Sequence, residues 1–589
     1  MQIKDRIHSL RKQMKEKNID AFIVFSADPH MSEYLPEAWK EREWISGFTG
    51  SAGFVVILQD KAGLWTDGRY FTQAPIELEG SGIDLFKDGN ADTPHYIDWI
   101  ISETKENANI AVNALVTAHE DWESLKNSLA KEGKNLINLN LLDKVWMERP
   151  EARKNPIFVH PLERAGQSVE DKLKAIRNAM QKENASGHII TSLDDVAWTL
   201  NLRGSDVACN PVFLAYIYIA KEKAYLFVDQ EKLKEEAINL MENAHVEIKD
   251  YKEFFPFLEN LKEEHIWVSP RSNQAIFEAI SQKNTLVKKA VPGNLMKAIK
   301  NEKELAGFRE VMIRDGVAMV QFLHWLTTNV GKMDLDEYTI GKKLYSFRAA
   351  QKNFVGQSFG SIVGYLENGA IIHYSAPEKG SKKVFKKGSI LVDSGGQYLE
   401  GTTDITRTFP LGEVDEDFIK DATLVLKGMI QLSMMKFPKG TSGMHLDAIA
   451  RKALWEEGKD YNHGTGHGVG SFMNVHEGPQ NIRKDINPTV LEAGMVVSNE
   501  PGYYVEGKYG IRHENLIAVK EWKKTEWNTF YEFETLTFCP FFTSAIDKNL
   551  LTEEELDWLN AYHQTCKDKL LPHLEGEVRE WFLEKVKAI

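Results

Sequence analysis

Two stretches of this chain, 166 residues apart, repeat one another. Residues 6–24 read RIHSLRKQMKEKNIDAFIV and residues 172–190 read KLKAIRNAMQKENASGHII. Arg11 matches Arg177, Met14 matches Met180, Asn18 matches Asn184 and Ile23 matches Ile189. In both, apolar residues step by three and four (Ile7, Leu10, Met14; Leu173, Ile176, Met180), the spacing of one face of an amphipathic helix. Each helix closes at its Asn and runs into a short apolar strand, AFIVF or HIITS. Farther on, Trp44 and Gly50-Ser51 are echoed by Trp198 and Gly204-Ser205. A duplicated helix–strand unit constrains the first half of the chain to two related α/β domains, at about 1–150 and 151–297. The segment ERPEARKNP (148–156) reads as the linker between them.

A third unit, 298–589, follows Pro292-Gly293-Asn294. It opens with an expected helix from Glu302 to Trp325, then turns to β patterns such as GSILVDSGG, TDITRTFPL, GMVVSNEPGYYV and GIRHENLIAV. Helices are expected over Glu416–Met434 and Ser442–Glu457. The tail from Thr552 reads as helical, with a capping-box pair Thr552/Glu555. A chain of 589 residues exceeds what one core supports, so three domains are the natural count.

The charge balance is −14, which argues against nucleic acid and anionic membrane as partners. Cys209, Cys539 and Cys566 are too few for a disulfide framework and lack structural-zinc spacing. The N-terminus is charged with no apolar core, so no secretory signal is read there. The longest apolar run, Val212–Ala220, has nine residues against the roughly 20 of a membrane span, and reads as a buried strand. A cytoplasmic location is the expectation.

The chemistry concentrates in the third unit. Asp393 follows SILV and Asp404 sits in GTTDITRTF, two acids in apolar strands, where a carboxylate is unfavourable by propensity and costly if buried alone. Taken by themselves they also fit solvated or salt-bridged strand ends. Next, YNHGTGHGVGSFMNVHEGP carries His463, His467 and His476 among five glycines. So much glycine excludes a helical metal pair and suggests backbone packed against a ligand. Glu500 in VVSNEPGYY and Glu514 in GIRHENLIAV add two more acids beside apolar runs. Four carboxylates cannot share a pocket as bare charges, and two divalent cations resolve the repulsion. Oxygen-rich ligation with one imidazole suits Mn²⁺, Co²⁺ or Zn²⁺.

Asp393, Asp404, His467, Glu500 and Glu514 resemble the five-ligand set of the pita-bread metallopeptidases, which include methionine aminopeptidases, prolidases and aminopeptidases P. GAIIHYSAP, LVDSGGQYLEGTTDITRTF, HGTGHGVGSFMNVHEGP and NEPGYYVEGKYGIRHENL, with GFTGSAG and LWTDGRYF near the N-terminus, are similar to the three-domain cytosolic aminopeptidase P (Xaa-Pro aminopeptidase) group over nearly the whole chain. The resemblance implies an α/β (α+β) fold of two creatinase-like N-terminal domains and a pita-bread catalytic domain. It implies two divalent metals, Mn²⁺ first, with Asp404 and Glu514 bridging, Asp393 on one ion, and His467 and Glu500 on the other. His373 and His463 would embrace the substrate proline. His476 would serve the scissile carbonyl or shuttle protons. Arg512 and Tyr504 would lie beside the metals, and Arg69 would reach the substrate side. The implied activity is release of the first residue from peptides with proline second, by a homodimer. A prolidase-type dipeptidase is the nearest alternative, disfavoured by the two N-terminal domains. A catalytically inactive pita-bread binding module would have lost ligands, and none is missing.

Overall fold

A computed structural model describes residues 2–589. The chain forms two compact units, 1–162 with 167–294, and 163–166 with 295–589.

The first unit holds two six-stranded sheets of identical design. One runs in the order Asp84–Lys87, Ala62–Thr66, Phe54–Leu58, Ala21–Val24, Asn109–Val112, Asn135–Asn138. The other runs Val246–Asp250, Ala224–Val228, Ala215–Ala220, Gly187–Ile190, His265–Val268, Thr285–Lys288. Their pairings also agree in direction: the strand after the repeated helix (Ala21–Val24 or Gly187–Ile190) is antiparallel to one neighbour and parallel to the other. The repeated helices, Ile3–Glu16 and Val169–Lys182, bury Ile7, Leu10 and Met14 and, in the second copy, Leu173, Ile176 and Met180. Asn18 and Asn184 adopt φ of 54° and 53°. Asparagine tolerates that left-handed turn better than most residues, which is why the repeat keeps it where helix passes to strand. The nine-residue apolar run supplies the buried Ala215–Ala220 strand.

In the second unit the Glu302–Asn329 helix starts at a capping box formed by Asn301 and Glu304. It is longer than the sequence pattern indicated. Its buried face, including Phe308 and Met312, packs with Val496, Leu516 and the C-terminal helix residues Leu559 and Leu570. Thr552 and Glu555 make the expected capping box for helix Glu553–Leu570. Two sheets carry the catalytic candidates. A three-stranded sheet pairs Ser389–Ser394 with Ile362–Tyr365 and Ile405–Pro410. A six-stranded antiparallel sheet places Asn515–Lys524, Val496–Asn499 and Gly466–Gly468 side by side. Among the described residues no helix is long and apolar enough to cross a membrane.

Candidate metal and peptidase site

Strand register gathers the acids. Asp393 pairs across the three-stranded sheet with Thr406, and Asp404 lies just before that partner strand. In the larger sheet Asn499 pairs with Asn515, so Glu500 and Glu514 leave adjacent strands at the same end. The backbone N–H of Glu500 donates to Thr465 O at 2.8 Å, which brings the His467 strand to that end too. The two sheets are joined there: Glu514 N–H donates to Thr406 O (3.1 Å), and Thr406 Oγ1 donates to Glu514 Oε2 (2.7 Å).

Ligand atoms of Asp404, His467 and Glu514 lie within 4.8 Å of one another. His467 Nε2 is 3.4 Å from both Asp404 Oδ2 and Glu500 Oε1. His467 Nδ1 is bonded to Gly468 O at 2.9 Å, which fixes the proton there and turns Nε2 toward the acids. The glycines on either side are required by space. A Cβ on Gly466 would stand 2.0 Å from Ser498 O, and one on Gly468 2.1 Å from Glu477 O.

The electrostatics are those of crowded acids. Burial raises the Glu514 carboxyl well above its usual range, and Asp404, Glu500 and Asp393 add to the shift. Burial likewise pushes Glu500 up to about 7, with Asp404 and Asp393 adding and His467 and Arg512 opposing. Burial raises Asp393 as well, against the pull of Arg512. Burial would lower the His467 imidazolium, but Asp404 and Glu500 outweigh it and bring it to about 9. Such a cluster holds protons that dications can replace. Among the described residues Asp393 Oδ1 is buried with no hydrogen-bond partner, while its Oδ2 accepts from Arg512 Nη2 at 2.6 Å. An orphaned carboxylate oxygen, four acids and one imidazole of fixed tautomer make a donor set that fits two divalent cations.

Around it runs a directed hydrogen-bond chain. Arg512 Nη1 donates to Tyr504 Oη (2.7 Å), which leaves the Tyr504 hydroxyl to donate to His463 Nε2 (2.8 Å). His463 Nδ1 is engaged by Gly464 O (2.7 Å). Burial raises the Tyr504 hydroxyl to about 12, with Arg512 opposing, so it stays protonated for that bond. The His476 ring lies 4.3 Å from the His467 ring, tilted by 71°. Its neighbour Glu477 is buried in an ion pair with Lys300. His373 is half-buried, and the carbonyl of adjacent Ile372 accepts from Arg512 Nη2 at 3.4 Å. Arg69 belongs to the first unit, where its guanidinium forks onto Asp67 at 2.9 and 2.7 Å.

Sequence reading missed the braces. Buried Arg451 bonds Asp447, Tyr461 O and, at 2.7 Å, His463 O, and so sets the glycine-rich segment. Buried Arg348 forks onto Asp315 and reaches Ser394 O beside Asp393. Asp447 and Arg451 stand four apart on a helix, a spacing that reads as an ordinary surface pair.

Comparison with known proteins bears on this site. The chain matches the Creatinase/Prolidase N-terminal domain twice, at 6–145 and 148–304. It matches metallopeptidase family M24 at 306–521 and the C-terminal region of peptidase M24 at 529–589. It is 42% identical to a probable Xaa-Pro aminopeptidase P of Laccaria bicolor, over 98% of this chain and 92% of that one. The chain belongs to the Xaa-Pro aminopeptidase P family. Xaa-Pro aminopeptidase 1 of Dictyostelium discoideum is 41% identical over 100% of this chain and 97% of its own. The crystal structure of X-prolyl aminopeptidase from Caenorhabditis elegans, described as a cytosolic enzyme with a di-nuclear active site, superposes with a TM-score of 0.96 at 33% identity, covering all of both chains. A Bacillus anthracis Xaa-Pro dipeptidase shares the fold over 64% of this chain, with a TM-score of 0.50 at 24% identity and 99% of its own length covered. The expected fold, two creatinase-like domains and a pita-bread domain, is the one found.

Proposed function

We propose that this chain is an Xaa-Pro aminopeptidase, a metallopeptidase that releases the first residue of peptides whose second residue is proline. The observation that carries the reading is the convergence of Asp404, His467 and Glu514 in a chain whose whole length matches the aminopeptidase P family. Asp393, Asp404, His467, Glu500 and Glu514 would hold two divalent ions, Mn²⁺ first, then Co²⁺ or Zn²⁺. When bound, such ions activate water near neutral pH and polarise the scissile carbonyl.

The chain's own residues do the rest. The buried carboxylates favour the substrate's free amine. A ring N–H of His476 would donate to the scissile carbonyl oxygen and then carry a proton to the leaving nitrogen. That nitrogen belongs to proline, a tertiary amide with no N–H, so selection rests on the shape offered by His373 and His463. Arg512 and Tyr504 keep His463 in the tautomer that accepts at Nε2. Arg69 keeps the role the resemblance implies, an arginine on the substrate side. The domain division 1–150, 151–297 and 298–589, a homodimeric state and a cytoplasmic location complete the proposal. Light scattering would give twice the 67.1 kDa chain mass for the dimer.

Cleavage of Xaa-Pro-Xaa tripeptides is expected to be at least as efficient as that of Xaa-Pro dipeptides, because residues past the proline add positioning contacts. Replacing proline by alanine should cost more than about tenfold in kcat/KM. Acetylating the substrate amine should stop cleavage. Hydrolysis confined to free dipeptides, measured by amino-acid release, would refute the aminopeptidase reading.

Metal affinity should carry a pH signature. Protons held by Glu500, with its pKa near 7, and by His467, with its near 9, compete with cations. Affinity should therefore rise with pH from about 6 to about 9, with protons released on binding. Calorimetry in buffers of different ionisation enthalpy counts those protons. A release of zero across that range would contradict the assignment of these ligands.

A further inference from the structure

His373 stands on a segment that a single buried carboxylate organises. Glu337, the first residue of the Glu337–Ala349 helix, is fully buried. Its Oε1 accepts from Tyr365 N–H at 2.8 Å and from Asn368 Nδ2 at 3.0 Å. Its Oε2 accepts from Asn368 Nδ2 at 3.1 Å and from the Tyr374 hydroxyl at 2.7 Å. Asn368 Nδ2 and Tyr374 Oη are themselves 3.0 Å apart. The donors to this anion are neutral, and they come from both sides of the turn that precedes His373, Tyr374 being its immediate neighbour. The turn is held against its own preference, since Leu366 sits at φ 53°, a conformation that a leucine rarely adopts.

The opposite side of the segment is equally closed. A Cβ on Gly510 would lie 1.7 Å from Gly369 O, so the turn packs directly on the strand Tyr509–Arg512. That strand ends at Arg512, whose Nη2 reaches Ile372 O at 3.4 Å. Residues 366–374 are thus gripped between Arg512 and its strand on one side and the Glu337 carboxylate on the other. His373 lies between the residue Arg512 contacts and the residue Glu337 contacts.

We propose that Glu337 is a positioning residue: its carboxylate, acting through Tyr374 and Asn368, sets His373 where the substrate's proline is bound. The inference rests on the proposed role of His373 as a substrate-binding residue. A carboxylate is needed because every group facing it is a donor. A glutamine of the same shape would point its NH₂ at one of them.

The test is a double-mutant cycle of Glu337→Gln with His373→Ala, read as kcat/KM on an Xaa-Pro-Xaa tripeptide, with metal per chain and melting temperature measured on every variant. In the wild-type background Glu337→Gln should lower kcat/KM by about tenfold or more, as misplacement of a binding group does, with metal content unchanged. In the His373→Ala background it should change kcat/KM by less than about twofold, because the group it positions is gone. Tyr374→Phe removes one hydroxyl from the fold and should show the same background dependence with a smaller loss. It keeps the test decisive if Glu337→Gln folds poorly. Equal losses in both backgrounds, or no loss for either variant in the wild type, would overturn the proposal. A His373→Ala enzyme with unaltered kcat/KM would instead remove the reading of His373, and the proposal with it.

Discussion

Replacing Glu514 with Gln, or Asp404 with Asn, is expected to lower kcat/KM by about a thousandfold or more. The estimate follows from the several kcal/mol of transition-state charge stabilisation that metal sites supply, at about 1.4 kcal/mol per tenfold. Both positions are almost fully buried, at 1% and 4% exposure, so neither change is diluted by solvent. An amide of the same shape retains one acceptor oxygen but not the negative charge, and a neutral group cannot join two dications as an anion does. Glu514 carries an added constraint, since its Oε2 already accepts from Thr406. Steady-state kinetics with metal analysis on the same samples separates outcomes. Reduced metal content with lost activity identifies a ligand. Full activity in either variant, or in wild-type protein stripped by chelator, removes the metallopeptidase mechanism.

His476→Ala should act on turnover. A general acid or base contributes about 10²–10⁴-fold, so kcat should fall by that factor while KM changes little. Both metals should remain bound, because the five-ligand set is complete without His476, whose ring lies edge-on to that of His467. Loss of a metal from the variant would make His476 a ligand and reverse its assigned role. A wild-type kcat would leave it no part in proton transfer.

The legible parts of this molecule were those with a period or a chemical oddity. Helices Ile3–Glu16 and Val169–Lys182 announce themselves by apolar residues at steps of three and four and by the shared Asn just past their ends, which the structure shows in a left-handed turn. Asp393, inside an apolar strand, and Asp404, which reads as a strand acid and stands one residue before the Ile405–Pro410 strand, stand out because propensity opposes an acid there. The supports do not stand out. Glu337 follows an aspartate at the start of a polar helix, where an acid is favoured by the helix dipole and suggests nothing further. Arg451 and Asp447 have the spacing of a solvent-exposed pair, yet both are buried and serve the loop of His463. Burial and long-range partners are set by tertiary packing, and one chain read in isolation carries no period that encodes them.

The site draws its groups from two sheets: Asp393 and Asp404 from the three-stranded one, and His467, Glu500 and Glu514 from the end of the six-stranded one. Asp393 and Glu514 are about 120 residues apart in the chain. Cations shared by these groups would therefore act as a cross-link through the catalytic unit, closing a long loop much as a disulfide would, where Cys209, Cys539 and Cys566 are all free. A ligand that binds only the folded form adds about 2.7 kcal/mol at a hundred times its dissociation constant. Metal supply would then govern how much of the chain is folded as well as how fast it works. In metal-poor surroundings the enzyme would be lost by unfolding as well as by idling.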